Sequence, residues 1–452
     1  MEHKVKSLFK KTSTNQQQRL ENQHIGEASE FYFACRNGET DKVKQMLPNI
    51  PYHQLNQLEL NGSTALHAAT FFGHLDIVYL LLHDYSCQRH LRNRHGFTAY
   101  EEAETDEMKQ LFHRPSDANR FNDDSMSMDK TFQIVLVPRD TTETDGSDYG
   151  DHVEKPDPRY FLSYRTHEEV QRYLDGLSGV KAFSQSRVGW YIMKQGMKLK
   201  RGKDTDYNEE KYAFITNEKF RQGALENLLD EYVTPGHSSY RCCCELLQQY
   251  VEQGKIEYLL KLYTMETPFY HQLLISSSPM GFPFFMHLSE LKQRFYEGYS
   301  YRGAGLTMSE LETYRWALKK ENSILSSLPF SSTSIVREDA EKFCEKSASS
   351  LSSSNKHRVL FIYHFPQACN VAINLSEIPE YKLPCISFFE NEKEVLVSPR
   401  TCFKVTKIES DECKVQYVIS LEALYGAQRT VFDSLQMSIK DDLKKKTNKK
   451  TS

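Results

Sequence analysis

The stretch GSTALHAA (Gly62 to Ala69) is echoed by GFTAYEEA (Gly96 to Ala103), a displacement of 34 residues. Upstream, FACRNGETDKVKQML (33–47) aligns with AATFFGHLDIVYLLL (68–82), so that Gly38 stands opposite Gly73 and Val43 opposite Val78. A repeat in the low thirties marks stacked helix pairs, because one pair alone cannot bury its apolar face. Each glycine ends one helix, and the next begins near Asp41 or Asp76.

The phrase Ser63-Thr64-Ala65-Leu66-His67-Ala68-Ala69 closely resembles the ankyrin consensus. The resemblance implies that Thr64 caps the first helix and His67 bonds to neighbouring turns, which makes His67 a structural residue. It covers about residues 25 to 114, one full repeat flanked by degenerate ones. In the last unit Glu101 stands where the histidine belongs and the glycine turn is missing, which suits a terminal cap.

At 452 residues the chain has room for roughly two to four domains. Hydrophobic residues make up 39% and charged residues 26%, with net charge −4, a globular balance that offers nucleic acid no basic surface. No run approaches the ~20 apolar residues of a membrane span, and MEHKVKSLFKKTSTNQQQ lacks the apolar core of a signal peptide. The expected location is intracellular and cytoplasmic, and the lysine-rich KDDLKKKTNKK (440–450) leaves nuclear import as an alternative. The ten cysteines, three of them consecutive at Cys242 to Cys244, show no CxxC or zinc spacing and read as reduced core thiols.

The organisation expected is a multidomain one. Residues 1–24 are a disordered N-terminus, 25–114 the all-α ankyrin-repeat region and 115–128 a linker. Residues 129–215, with TFQIVLV, YFLSY and a capping box at Thr166, form a small α/β unit without recognisable chemistry. From 216 to 428, helical ALENLLDEYV, CCCELLQQYVEQGKIEYLLKLYTME and HLSELKQRFYEG precede strand-like SYRGAG, ILSSLPFSSTS, RVLFIYHF, NVAIN, KEVLV, FKVTKIE and KVQYVIS. Helices followed by many short strands predict an α+β domain of two packed antiparallel or mixed sheets with an N-terminal helical lobe. KSASSLSSSNKHR (346–358) reads as a mobile loop and 429–452 as a basic tail.

Three islands in that region carry candidate chemistry. Tyr301-Arg302-Gly303 offers a guanidinium fork for a phosphate and a glycine beside which a ligand approaches the backbone, although an Arg-Gly pair is more often a solvated strand end. Phe330-Ser331-Ser332-Thr333-Ser334 fits a hydroxyl bonded to a ligand, and equally a strand running into a helix cap. FFENEKEVL (388–396) sets Glu390, Glu392 and Glu394 at every second position, an arrangement whose charge repulsion gives a purely structural strand nothing.

In this order the islands closely resemble the arginine-specific mono-ADP-ribosyltransferases, the class with arginine, serine and glutamate motifs. The likeness spans roughly 216–428 and extends to a Tyr-Thr-x-Glu phrase in LYTMETPFYHQLL (262–274), where Leu274 stands in place of an expected asparagine. It implies that NAD is consumed as a substrate, with no metal. Arg302 would hold its phosphates or adjoining ribose, and Ser332 would order the nicotinamide side of the pocket and position the last glutamate, with Gly303 and Thr333 completing the NAD set. Glu394 would stabilise the oxocarbenium ion and Glu392 would orient and deprotonate the acceptor guanidinium. On one strand face the last two would stand roughly 6 to 7 Å apart.

Phe388 and Phe389 are expected in an acceptor-recognition loop, exposed to a target protein or buried in the loop itself, with Glu390 a solvated loop charge. The implied partners are NAD, a protein bearing an acceptor arginine, and a protein bound by the ankyrin repeats; neither nucleic acid nor membrane is expected. NAD hydrolysis, which does not need Glu392, and an inactive transferase-like scaffold remain the alternatives.

Overall fold

The computed structural model describes residues 28–114, 162–163, 217–265, 267–269, 278–320, 323–327, 330–349, 356–399, 401–410 and 415–426. Outside these lie the N-terminus 1–24, the 115–128 linker, the 129–215 unit apart from Leu162 and Ser163, Glu266, Leu274 and the 429–452 tail. The chain divides into two compact units. The first takes Met1–Ala118, Gln222–Gln272 and Pro384–Asn391, and the second Asn119–Arg221, Leu273–Leu383 and Glu392–Ser452.

In the first unit the repeats fold as α1 (Glu30–Asn37), α2 (Thr40–Met46), α3 (Tyr52–Leu55), α4 (Ala65–Phe71), α5 (Leu75–Tyr79), α6 (Ala99–Glu102) and α7 (Asp106–Leu111). Gly38 ends α1 at φ 76° and returns its N–H to Ala34. A Cβ there would stand 2.6 Å from the His74 ring, so the position needs glycine for conformation and for space. Thr64 caps α4 in a reciprocal box with His67, whose Nε2 lies 3.0 Å from the Phe97 carbonyl of the next turn. Burial lowers the His67 pKa to about 4, so the ring is neutral, as a structural linker requires. Glu101 repeats the box with Thr98 on α6, the replacement that the sequence reads as a terminal cap.

The first unit also takes in α8 (Glu218–Tyr232) from Gln222 onward, and α9 (Tyr240–Gln253) and α10 (Ile256–Thr264), which pack on one another. The helical run 242–266 is two helices, because Gly254 turns left-handed at φ 65° and caps α9 on Tyr250. Ser86 meets Ser239 at 3.2 Å and Arg241 donates to the Ile50 carbonyl, joining the pair to the repeats. Of the nine described cysteines, all free thiols, eight are buried, and burial raises Cys35 to about 12 and Cys242 to about 11. Such thiols are inert packing residues.

The second unit is built on β1 (Leu162–Ser163), β2 (Phe295–Leu306), β3 (Ser323–Ser326), β4 (Ser331–Ser334), β5 (His357–Asn374), β6 (Glu394–Val397), β7 (Cys402–Ser410) and β8 (Tyr417–Leu424). They pair in the order β1-β3-β7-β8-β5-β2-β4-β6, and β6 pairs again with β5. Among the described residues only β5 with β8 is parallel, so the sheet is mixed. The core is aromatic where β5 faces β7: Tyr363 and Phe365 both pack edge-on against Phe403. Each such ring removed from water stabilises by about 1.5–3 kcal/mol.

The helices of this unit are α11 (Ser278–His287), α12 (Met308–Lys319) and α13 (Arg337–Ser349). Thr307 and Glu310 form the capping box of α12.

Some local expectations fail for physical reasons. HLSELKQRFYEG does not continue as a helix: α11 ends at His287 and β2 starts at Phe295. Between them buried Arg294 donates to the carbonyls of Asn374 and Ser376, which pulls the segment onto the end of β5. RVLFIYHF and NVAIN form one 18-residue strand. The serine-rich loop is shorter than it reads, since α13 runs to Ser349 and β5 begins at His357; residues 350–355 lie outside the described residues. Among the described residues no helix is long and apolar enough to cross a membrane.

Gly303 shows why β2 carries a glycine beside Arg302. A Cβ there would lie 2.3 Å from the Ala340 carbonyl oxygen and 2.7 Å from the Cys344 nitrogen, both backbone atoms of α13. The approaching backbone is therefore a helix of the fold itself. Gly303→Ala is expected to destabilise the protein by about 1–3 kcal/mol in chemical denaturation, since two backbones must separate; an unchanged midpoint would contradict this packing.

Candidate active site

Four strands close a ring of pairings: β2 with β4, β4 with β6, β6 with β5 and β5 with β2. The register sets Tyr301 opposite Ser334 and Ser334 opposite Glu394. Residues from three distant parts of the chain thus stand side by side in one row. A cleft opens beside that row, lined by Arg302, Gly303, Ser332, Thr333, Glu392 and Glu394, together with Tyr301, Ser334, Asp339 and Ala340. All six site candidates of the sequence come together there.

The two glutamates reach the cleft by a different route from the one their spacing suggests. Glu392 does not lie on the strand: it closes a 3-10 turn, Glu390–Glu392, and β6 begins only at Glu394. Lys393 between them has φ 42°, a left-handed conformation that costs a non-glycine residue about 1–2 kcal/mol. Three consecutive carbonyls hold it. That of Glu392 accepts from Ser334 Oγ (2.7 Å), that of Lys393 from the Ile335 N–H (3.1 Å), and that of Glu394 from the Leu375 N–H (2.9 Å). At about 1 kcal/mol each these bonds outweigh the strain. The turn buries both carboxyl residues, Glu392 to 7% and Glu394 to 2% exposure.

The Ser-Thr-Ser run divides its labour by strand alternation. Thr333 engages inside the sheet, donating to the Val395 carbonyl at 2.9 Å and lying 2.8 Å from Ser300 Oγ. Ser334 holds the Glu392 carbonyl and accepts from the Val336 N–H, so it fixes the catalytic-candidate turn and the entry into α13 together. The side-chain bond to this turn comes from Ser334, whereas the family resemblance implies Ser332 as the residue that positions the last glutamate, Glu394. Ser334 was legible as its period-two companion, whereas nothing local marks Asp339 or Ala340. Arg302 Nη1 donates to the Ser332 carbonyl at 3.2 Å, which fixes a cation in the same cleft. The arrangement offers a cation for phosphate and two carboxylates for a developing or permanent positive charge.

Of the two readings open for Phe388 and Phe389, exposed to a target protein or buried, the structure shows burial. In the first unit Phe388 and Phe389 are each only 5% exposed. The Arg89 guanidinium stands 4.7 and 4.8 Å from their ring centres, and that of Arg114 lies 3.9 Å from the centre of Phe389. The Phe388 N–H donates to Thr264 Oγ1 at 2.7 Å. Glu390, expected as a solvated charge, accepts from Thr98 Oγ1 at 3.1 Å, and burial raises its pKa to about 7, with Glu101 adding to the rise.

The family model for ankyrin repeats (3 copies) matches residues 4–119, so the N-terminal region carries ankyrin repeats. No curated protein matches the chain. Among solved structures it is similar to the type III effector XopAI of Xanthomonas axonopodis pv. citri, at 15% identity and TM-score 0.31, over 52% of this chain and 96% of that one. It is also similar to the ADP-ribosyltransferase HopU1 of Pseudomonas syringae pv. tomato (11%, TM-score 0.29, 44% and 87%) and to the ADP-ribosyltransferase Vis of Vibrio splendidus (19%, TM-score 0.21, 58% and 88%). Likenesses this distant assign no residue a role.

Two outcomes test this geometry. Lys393→Gly removes the left-handed strain and is expected to leave the denaturation midpoint unchanged or higher, whereas Lys393→Val lowers it by about 1 kcal/mol or more; the reverse order would contradict the turn. A carboxyl with a folded pKa near 7 and an unfolded one of about 4.3 contributes stability below the lower value and loses it as pH rises through the upper. Wild type should therefore gain melting temperature relative to Glu390→Gln between pH 8 and roughly pH 5.5, a difference from which the His67 contribution cancels. A flat difference would show that Glu390 is hydrated.

Proposed function

We propose that the chain is an intracellular mono-ADP-ribosyltransferase that moves ADP-ribose from NAD to arginine side chains of proteins and releases nicotinamide. The observation that carries this reading is the convergence of Arg302, Ser332, Glu392 and Glu394 on one cleft of the second unit from separate strands and a turn. The buried free thiols suit the reducing interior of a cell. The transferase region is taken as 216–428 and the repeats as the part that selects the target, with 129–215 a unit of unassigned role.

NAD suits the chemistry of the cleft. The Arg302 fork offers parallel hydrogen bonds to its diphosphate, and Ser332 beside it orders the nicotinamide side. As the bond between the ribose anomeric carbon and nicotinamide breaks, nicotinamide leaves with the electron pair and the sugar becomes cationic. Glu394, buried and fixed, stabilises that cation where water competes poorly. The acceptor guanidinium has a pKa above ~12 and is a poor nucleophile until it loses a proton. Glu392 binds it, takes the proton as the new nitrogen–carbon bond forms, and directs it to the open face of the sugar.

Labelled NAD with agmatine or polyarginine as acceptor, read for nicotinamide release and for label transfer, tests both roles. Glu394→Gln is expected to lower both by about 10²–10³-fold. Glu392→Gln should leave release in place and lower transfer by about 10²–10⁴-fold. Release without transfer by wild type would make the chain an NAD hydrolase, and absence of both from folded protein would leave a scaffold.

A further inference from the structure

The proposed reaction gives work to Arg302, Ser332, Glu392 and Glu394 and leaves one wall of the cleft without a task. That wall is the start of α13, which supplies Asp339 and Ala340. Packing fixes its place: a Cβ on Gly303 would meet the Ala340 carbonyl oxygen at 2.3 Å, so the helix lies against β2 at the glycine next to Arg302. Glu394 belongs to β6, and β4 stands between it and β2 in the row Tyr301, Ser334, Glu394. At about 4.8 Å per strand, that row sets β2 roughly 10 Å from the strand of Glu394. Asp339 therefore enters the cleft on the side of Arg302, with β4 between β2 and Glu394.

Of the three acids in the first turns of α13, Asp339 alone lines the cleft. Glu338 is exposed, and Glu341 is held by Arg337 Nε at 2.7 Å. Asp339 Oδ1 accepts from Lys342 Nζ at 2.9 Å, and the aspartate side chain is 23% exposed against 69% for the lysine. The lysine thus reaches back from solvent to a carboxylate that faces the cleft. Among the described residues Oδ2 accepts no hydrogen bond, which leaves one oxygen for a donor in the cleft. Each cation of this turn of helix is already committed: Arg337 to Glu341, and Lys342 to Asp339.

With the nicotinamide ribose against Glu394 and the diphosphate on Arg302, NAD continues past Arg302 with its adenosine ribose, a sugar with two adjacent free hydroxyls. We propose that Asp339 makes this cleft choose NAD over NADP: its carboxylate accepts hydrogen bonds from those hydroxyls and repels the 2′-phosphate that NADP carries there. The inference rests on the transferase reading and names which of two dinucleotides that site takes. An ionised carboxylate is an acceptor only, so it bonds a hydroxyl and has nothing to offer a second anion. Dinucleotide sites on other folds use the same device, an acidic side chain for the 2′-hydroxyl and an arginine for the 2′-phosphate. Lys342 does not reverse the sign, since a 2′-phosphate would have to break its bond to Asp339 and leave that carboxylate facing the phosphate.

The test compares NAD with NADP in nicotinamide release by the full chain. Alongside it, calorimetric titration compares ADP-ribose with its adenosine 2′-phosphate, a binding readout that needs no turnover. Wild type is expected to favour the ligand without the 2′-phosphate by roughly tenfold to a hundredfold in kcat/KM and in Kd, the range of a hydrogen bond to a charged group. Asp339→Asn keeps the size and one acceptor oxygen but not the charge. It is expected to lower efficiency with NAD a few-fold and raise it with NADP roughly tenfold, which brings the preference close to one. Asp339→Ala removes the acceptor as well and should lower efficiency with NAD roughly tenfold, chiefly as a higher KM. Damage to α13 alone would lower both dinucleotides alike and leave their ratio in place.

A preference for NAD that survives in both variants would overturn the inference. A higher agmatine KM with an unchanged dinucleotide ratio would overturn it too, because Asp339 would then serve the acceptor. Wild type that transfers ADP-ribose but takes NADP as readily would remove the inference alone. Wild type that releases no nicotinamide from either dinucleotide would remove the transferase reading; the titration then decides, and equal binding of the two ligands, or of neither, removes the inference as well.

Discussion

The left-handed turn at Lys393 is the constraint on which the candidate site depends. Without it Glu392 and Glu394 would sit on a continuous strand. With it, one carboxylate stands on the strand and its neighbour on the turn, and both line one cleft. The strain is local and modest, and the restraint is threefold, since three successive carbonyls accept hydrogen bonds from three separate residues. Ser334 is central to this arrangement, because its hydroxyl grips the Glu392 carbonyl while its backbone pairs with Glu394. The serine motif therefore works as a brace for the glutamate motif, apart from any contact with a ligand.

The repeats invite a separate view of why an ankyrin array belongs to such a chain. Thr64 with His67, and Thr98 with Glu101, make the same cap by different chemistry, and the second version leaves the Thr98 hydroxyl bonded to Glu390 as well. A repeat cap and the buried Glu390 of the same unit thus share one hydroxyl.

Much of this was legible in the sequence, and the failures are instructive. The 34-residue echo, the left-handed glycines and the Thr-x-x-His cap are local signals, and the structure carries them as written. The six site candidates converge because motif order survives in sequence even though register does not. Lys393 was illegible, as a left-handed lysine is maintained by bonds from residues far along the chain. Glu390 misled for a similar reason: acidic residues at every second position look solvated until the distant groups that bury one of them are known, and the same groups settle burial for Phe388 and Phe389. Ser334 was within reach, since it lies two residues from Ser332 on a strand, whereas the end of the helical pattern near His287 depended on Arg294 finding carbonyls on β5.

The most direct measurement is a crystal structure of Glu394→Gln with NAD and agmatine, in which cleavage is slowed enough to hold both. The diphosphate is expected on Arg302, the nicotinamide ribose against residue 394 and the agmatine guanidinium on Glu392, with Lys393 still left-handed. NAD bound away from this cleft, or agmatine seated without contact to Glu392, would contradict it.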